Sequence, residues 1–236
     1  MKPQSLINLL ASATISISLT TVLGAHPAAA IIIGGPGDPG AGNGIPFGES
    51  FLGGPEYQQV YNSNNFSGPI LITEMTFYHH NNNFGGDTAQ VNGGTYTLSL
   101  SATAAAVNGL SSTFANNLGA NNTVVFFGDL PRLAAGEVDI FLSTPFLYDP
   151  GQGNLLLDVF GTNVTEGGVF LDARNGTAGT IFSRMVGGIA TGTSSFGLVT
   201  GLNAPVPGPI AGAGLPGLIL ATGGLLAWWR RRKKIA

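Results

Sequence analysis

Residues 95–100 read TYTLSL, and the alternation is unbroken. Tyr96, Leu98 and Leu100 fall on one side, Thr95, Thr97 and Ser99 on the other. A period of two places successive side chains on opposite faces of an extended chain, so this stretch predicts a half-buried β-strand. Runs with the same character lie on both sides of it. They are 67–80 (SGPILITEMTFYHH), 123–127 (TVVFF), 137–142 (EVDIFL), 154–160 (NLLLDVF), 168–173 (GVFLDA), 181–186 and 196–199. In 137–142, Val138 and Ile140 are expected inward, with Glu137 and Asp139 outward.

Turn-forming pairs separate these runs: Gly85-Gly86, Gly93-Gly94, Gly128-Asp129, Gly151-Gln152-Gly153, Asn175-Gly176 and Gly187-Gly188. Glycine reaches positive φ at little cost, which is what tight turns ask for. No clear helical period survives between residues 45 and 200, and 110–118, the one segment that could be helical, reads as loop. About eight to ten short strands joined by Gly and Asn turns predict an all-β fold, an antiparallel β-sandwich of jelly-roll-like form. The expected domain spans residues 45–204, preceded by a flexible Gly/Pro-rich arm at 31–44 with an edge strand at 31–33 as the alternative. Leu157-Asp158 and Leu171-Asp172 echo each other and suggest two strands of one hairpin.

The two ends have a different composition. Residues 1–30 combine a basic Lys2, an apolar core from Leu6 to Leu23 and the small residues Ala28, Ala29 and Ala30. That order is a secretory signal peptide, with Ala28 and Ala30 at the cleavage site and Ile31 as the first mature residue. At the other end, residues 206–236 read VPGPIAGAGLPGLILATGGLLAWWRRRKKIA. Residues 210–229 are uncharged and long enough for a helix across a bilayer of about 30 Å. Seven large apolar residues at about 0.5 kcal/mol each give roughly 3.5 kcal/mol of insertion energy, which suits transient anchoring. Trp228 and Trp229 would sit at the headgroups, with Arg230, Arg231, Arg232, Lys233 and Lys234 held in the cytoplasm.

This tail resembles the PEP-CTERM sorting signal of bacterial exosortase substrates, in which a Pro-Glu-Pro motif, a transmembrane helix and an Arg-rich end follow in order. Val206, Pro207, Gly208 and Pro209 occupy the motif, with Gly208 where Glu is expected. The resemblance implies an exosortase-like processing enzyme as partner, passage through the inner membrane and removal of the tail from residue 205 or so onward. The runs 57–61, 68–70, 145–148 and 153–158 look like the sandwich domains that often precede this signal.

Charge and cysteine narrow the function. Without its two ends the chain keeps Arg132, Arg174 and Arg184 against twelve carboxylates, a formal net charge of −9, and no lysine. Such a body repels phosphates, so a nucleic-acid partner is not expected. The absence of cysteine excludes disulfides, and burial alone must stabilise the fold.

No catalytic constellation is legible. His79 and His80 are adjacent, so on a strand they point to opposite faces, one packed and one solvated. No G-x-S-x-G elbow exists; Gly48-Glu49-Ser50 breaks at Leu52. Glu137 and Asp139 read as a solvated charged face rather than paired glycosidase acids. No cofactor is expected, although acidic Asn/Gly loops suit a structural calcium, with Asp87 after 81–83 and Asp149 as candidates. Tyr57, Tyr61, Tyr78 and Tyr148 could form an aromatic platform for extracellular polysaccharide. The sequence therefore predicts an exported, non-catalytic cell-surface or extracellular-matrix protein, with a carbohydrate-binding module as the alternative.

Overall fold

A computed structural model describes residues 31–35, 42–49, 54–80, 89–132, 136–176, 181–187 and 195–203. The strands are β1 (Ile31–Ile33), β2 (Gly42–Asn43), β3 (Glu56–Tyr61), β4 (Ile70–Tyr78), β5 (Gly93–Thr103) and β6 (Thr123–Asp129). They continue with β7 (Glu137–Tyr148), β8 (Asn154–Thr165), β9 (Leu171–Gly176), β10 (Phe182–Val186), β11 (Ser195–Leu198) and β12 (Thr200–Leu202). Every pairing is antiparallel. The first sheet has the order β1-β12-β4-β7, the second β10-β3-β8-β5-β6, and a small third sheet β11-β9-β2.

The alternation read in 95–100 is realised in β5, where Tyr96, Leu98 and Leu100 are fully buried. They share one core with Met75, Phe77, Val138 and Ile140 of the first sheet and Leu155, Leu157 and Val159 of β8. Phe47 enters this core from the segment after β2, with ring centroids 4.9 Å from Phe77 and 5.7 Å from Tyr96. Polar bonds also cross the interior. The Tyr61 and Thr200 hydroxyls lie 2.9 Å apart, linking β3 to β12. The Gln59 amide donates to the Leu198 carbonyl and accepts from its N–H, linking β3 to β11.

A second, smaller cluster lies on the outer face of the second sheet. Residues between β5 and β6, including a short 3-10 turn at Phe114–Asn117, fold over that face and seal Val60, Leu156 and Met185 with Leu110. Gln58 is buried beneath this flap: it donates to the Phe114 carbonyl and accepts from Asn117. Strand β3 is therefore covered on both sides, which a period of two in the sequence does not reveal.

The structure differs from the sequence expectations in several places. Ile31–Ile33, assigned to a flexible arm, forms the edge strand given as its alternative, because Ile33 packs into the core and pairs with Thr200. Gly42–Asn43, also within that arm, pairs with β9. Strands β8 and β9 do not form a hairpin; they belong to different sheets. Gly93-Gly94 lies inside β5 instead of in a turn. Gly94, at φ +114°, shifts the register between β5 and β8, and a Cβ there would stand 2.8 Å from the Thr162 carbonyl oxygen. Asn175-Gly176 and Gly128-Asp129 likewise fall at strand ends.

Candidate functional site

Three groupings of chemistry-bearing residues emerge from this framework. The first is where β4 runs out. His79 bridges to Leu171, and the next residue's N–H donates to the Phe170 carbonyl at 2.9 Å. The strand has ended by this point, and His80 is buried, 4% exposed, while His79 is half-buried rather than solvated. His80 Nδ1 lies 2.7 Å from Asp172 Oδ1 of β9. The ring is backed by Gly42, where a Cβ would come within 2.6 Å of it. A carboxylate that orients an imidazole is two-thirds of a nucleophilic site. Here it also fastens the third sheet to the first. Asp172 was not among the sequence candidates, since the 92 residues separating it from His80 leave no local signal.

The second grouping is the outer face of the first sheet. Glu137 and Asp139 point outward as expected, and register places Thr76 opposite Asp139 and Phe141 opposite Glu74. Thr76 Oγ1 donates to Asp139 Oδ1 at 2.9 Å. Burial, then Asp139 and Glu137, raise the Glu74 carboxyl above the usual range. Burial and the same carboxylates raise the Tyr78 phenol.

The third grouping is the part of the second sheet's outer face that the flap leaves open. Glu56 and Asp158 hydrogen-bond to each other there, and Gln58 Nε2 donates to Asp158 Oδ1 at 3.1 Å. Burial, then Asp158, push Glu56 up to about 7. Asp158 is raised too, mainly by burial and partly offset by the hydrogen bonds from Gln58 and Glu56. The two carboxyls are coupled, so the proton taken up on acidification belongs to the pair.

The tyrosine platform is corrected by the structure. Tyr57, Tyr61 and Tyr148 are fully buried, and Tyr78 is half-buried, lying across Gly201. The buried hydroxyls find partners: Tyr57 donates to Gln59, Tyr61 meets Thr200, and Tyr148 donates to the Gly153 carbonyl at 2.7 Å. A phenol with a satisfied hydroxyl packs as well as phenylalanine. Burial raises all three phenols, Tyr148 to about 12. The exposed rings are phenylalanines instead: Phe127 at 72%, Phe141 at 62% and Phe160 at 40%.

Asp149 caps the 3-10 turn Pro150–Gln152 by accepting from the Gly151 N–H at 2.9 Å, an ordinary local role. Among the described residues no three His, Cys, Asp or Glu side chains gather to hold a metal. Asp87, residues 81–83, Ser50, the cleavage residues Ala28 and Ala30, the motif Val206 to Pro209, the apolar stretch 210–229 and the basic cluster Arg230 to Lys234 lie outside the described residues. Among those described, no helix is long and apolar enough to cross a membrane. In comparisons with family models, curated proteins and solved structures, none matches the chain.

Proposed function

We propose that the chain is an exported, non-catalytic cell-surface or extracellular-matrix protein. Its C-terminal segment acts as a PEP-CTERM-like sorting signal, handled by an exosortase-like enzyme while residues 210–229 hold the chain in the inner membrane. The carrying observation is the pairing of β1 with β12. Ile31, the first residue after the expected cleavage site, lies opposite Leu202, just before the sorting motif. The described body thus starts and stops next to the two terminal signals, which suits a cargo from which both are removed.

The finer fold assignment is a jelly roll. It is supported by strand order. If β1, β3, β4, β5, β6, β7, β8 and β12 are taken as the eight strands, the sheets read first-eighth-third-sixth and second-seventh-fourth-fifth, the two interlocked Greek keys of that fold. Strands β9 to β11 are then an insertion before the last strand, and β10 extends the second sheet.

Intact mass of protein recovered from medium and envelope fractions tests the sorting proposal. A mass running from Ile31 to near Val206 is expected. A mass that retains Trp229 and the basic cluster would overturn tail removal and leave a membrane-tethered domain.

A further inference from the structure

On the second sheet, one cross-strand row of the outer face runs Phe127 (β6), Thr97 (β5), Phe160 (β8) and Glu56 (β3). Neighbouring strands lie about 4.8 Å apart, so the two phenylalanine rings are rooted about 10 Å from each other with a threonine hydroxyl between them. The next row places Asp158 beside this line, hydrogen-bonded to Glu56. The flap between β5 and β6 covers Val60, Leu156 and Met185 but leaves these rings exposed. The two aromatic rings in register, with Val124 also exposed on the neighbouring row, give the open part of this face alternating apolar and hydroxyl character.

We propose that this row binds an extended, amine-bearing polysaccharide. The sugar rings would lie across Phe127 and Phe160, and an ammonium group would meet the carboxyls of Glu56 and Asp158. Charge complementarity selects this occupant. Among the described residues the two rows hold carboxyls and no cation; Arg132 lies two rows away, beside Gly93 and Thr165. A polyuronate or a phosphate-rich polymer would be repelled by these carboxyls and by a body of net charge −9. The inference rests on the proposed export only for where such a polymer is met, and the mass measurement above tests export separately.

The test is isothermal titration of the full chain in mild detergent at pH 6 with a deacetylated chitosan hexamer, its fully acetylated counterpart and an oligoguluronate. The deacetylated hexamer is expected to bind, the acetylated one at least tenfold more weakly, and the oligoguluronate not at all. Phe127→Ala, Phe160→Ala and Glu56→Gln should each weaken binding about tenfold or more, whereas Phe141→Ala on the other sheet should not. Titration in two buffers of different ionisation enthalpy should show proton release, as the ammonium displaces the proton shared by Glu56 and Asp158. Absence of binding, equal binding of the acetylated hexamer, or binding unchanged by Phe127→Ala would overturn the proposal. So would a concentration-dependent dimer abolished by Phe127→Ala, which would make a second copy of the chain the occupant.

Discussion

Ile31 lies directly opposite Leu202 across antiparallel strands, so the first described residue is paired with one of the last. The consequence is that β1, a three-residue edge strand, closes the first sheet. Its inward residue, Ile33, is 2% exposed, whereas Ile32 is 42% exposed. Ile33→Ala should cost about 2–4 kcal/mol in urea unfolding, the range for a buried Ile cut back to Ala. Ile32→Lys should change stability by about 0.5 kcal/mol or less. Equal effects would mean that β1 does not pack as described.

Gln59 ties β3 to β11 through the interior. Its fully buried amide accepts from the Tyr57 hydroxyl and the Leu198 N–H and donates to the Leu198 carbonyl. Gln59→Leu keeps the volume and removes all three bonds, leaving polar groups of Tyr57 and Leu198 without this partner in a dry setting. A loss of about 3 kcal/mol is expected in denaturant titration at an unchanged m-value.

His80 and Asp172 should behave as a coupled pair. His80→Phe removes the imidazole 2.7 Å from a carboxylate that is itself 8% exposed, at an expected cost of about 3 kcal/mol. Adding Asp172→Leu should recover part of this loss, because the buried charge goes with its partner. Strict additivity in the double-mutant cycle would show that the two are not coupled.

The Glu56–Asp158 pair sets a pH dependence with a definite sign. Glu56 titrates near 7 in the folded chain, above its ordinary range, and Asp158 is raised as well. The folded state therefore binds protons more tightly than the unfolded chain. The contribution is full at acidic pH, below the unfolded carboxyl range, and is lost as pH rises through about 7. Melting temperature should fall between pH 5 and pH 8, and Glu56→Gln should flatten that slope. A slope unchanged by the substitution would assign it to other groups.

Much of the fold is legible in local pattern. The period of two in β5 arises because one face meets a core and the other meets water, and Tyr96, Leu98 and Leu100 obey it. The outward Glu137 and Asp139, between the buried Val138 and Ile140, follow from the same alternation. Where two layers cover a strand the rule fails. Gln58 and Val60 point away from the main core, and only the flap between β5 and β6 makes them buried. Tyrosine is ambiguous in sequence because its ring suits a core and its hydroxyl suits a surface; distant partners such as Thr200 settled Tyr61 inward.

The sequence by itself determined the strand character, the acidic and cysteine-free composition, and the two terminal segments on which the sorting proposal rests, since each depends on residues adjacent in the chain. The tertiary structure alone decided which strands are neighbours and so which side chains meet. It joined β1 to β12, His80 to Asp172 and Glu56 to Asp158, and aligned Phe127 with Phe160 across β5. Antiparallel pairing brings together residues far apart in the chain, and no local period encodes that register; it is set by the fit of whole faces around a shared core.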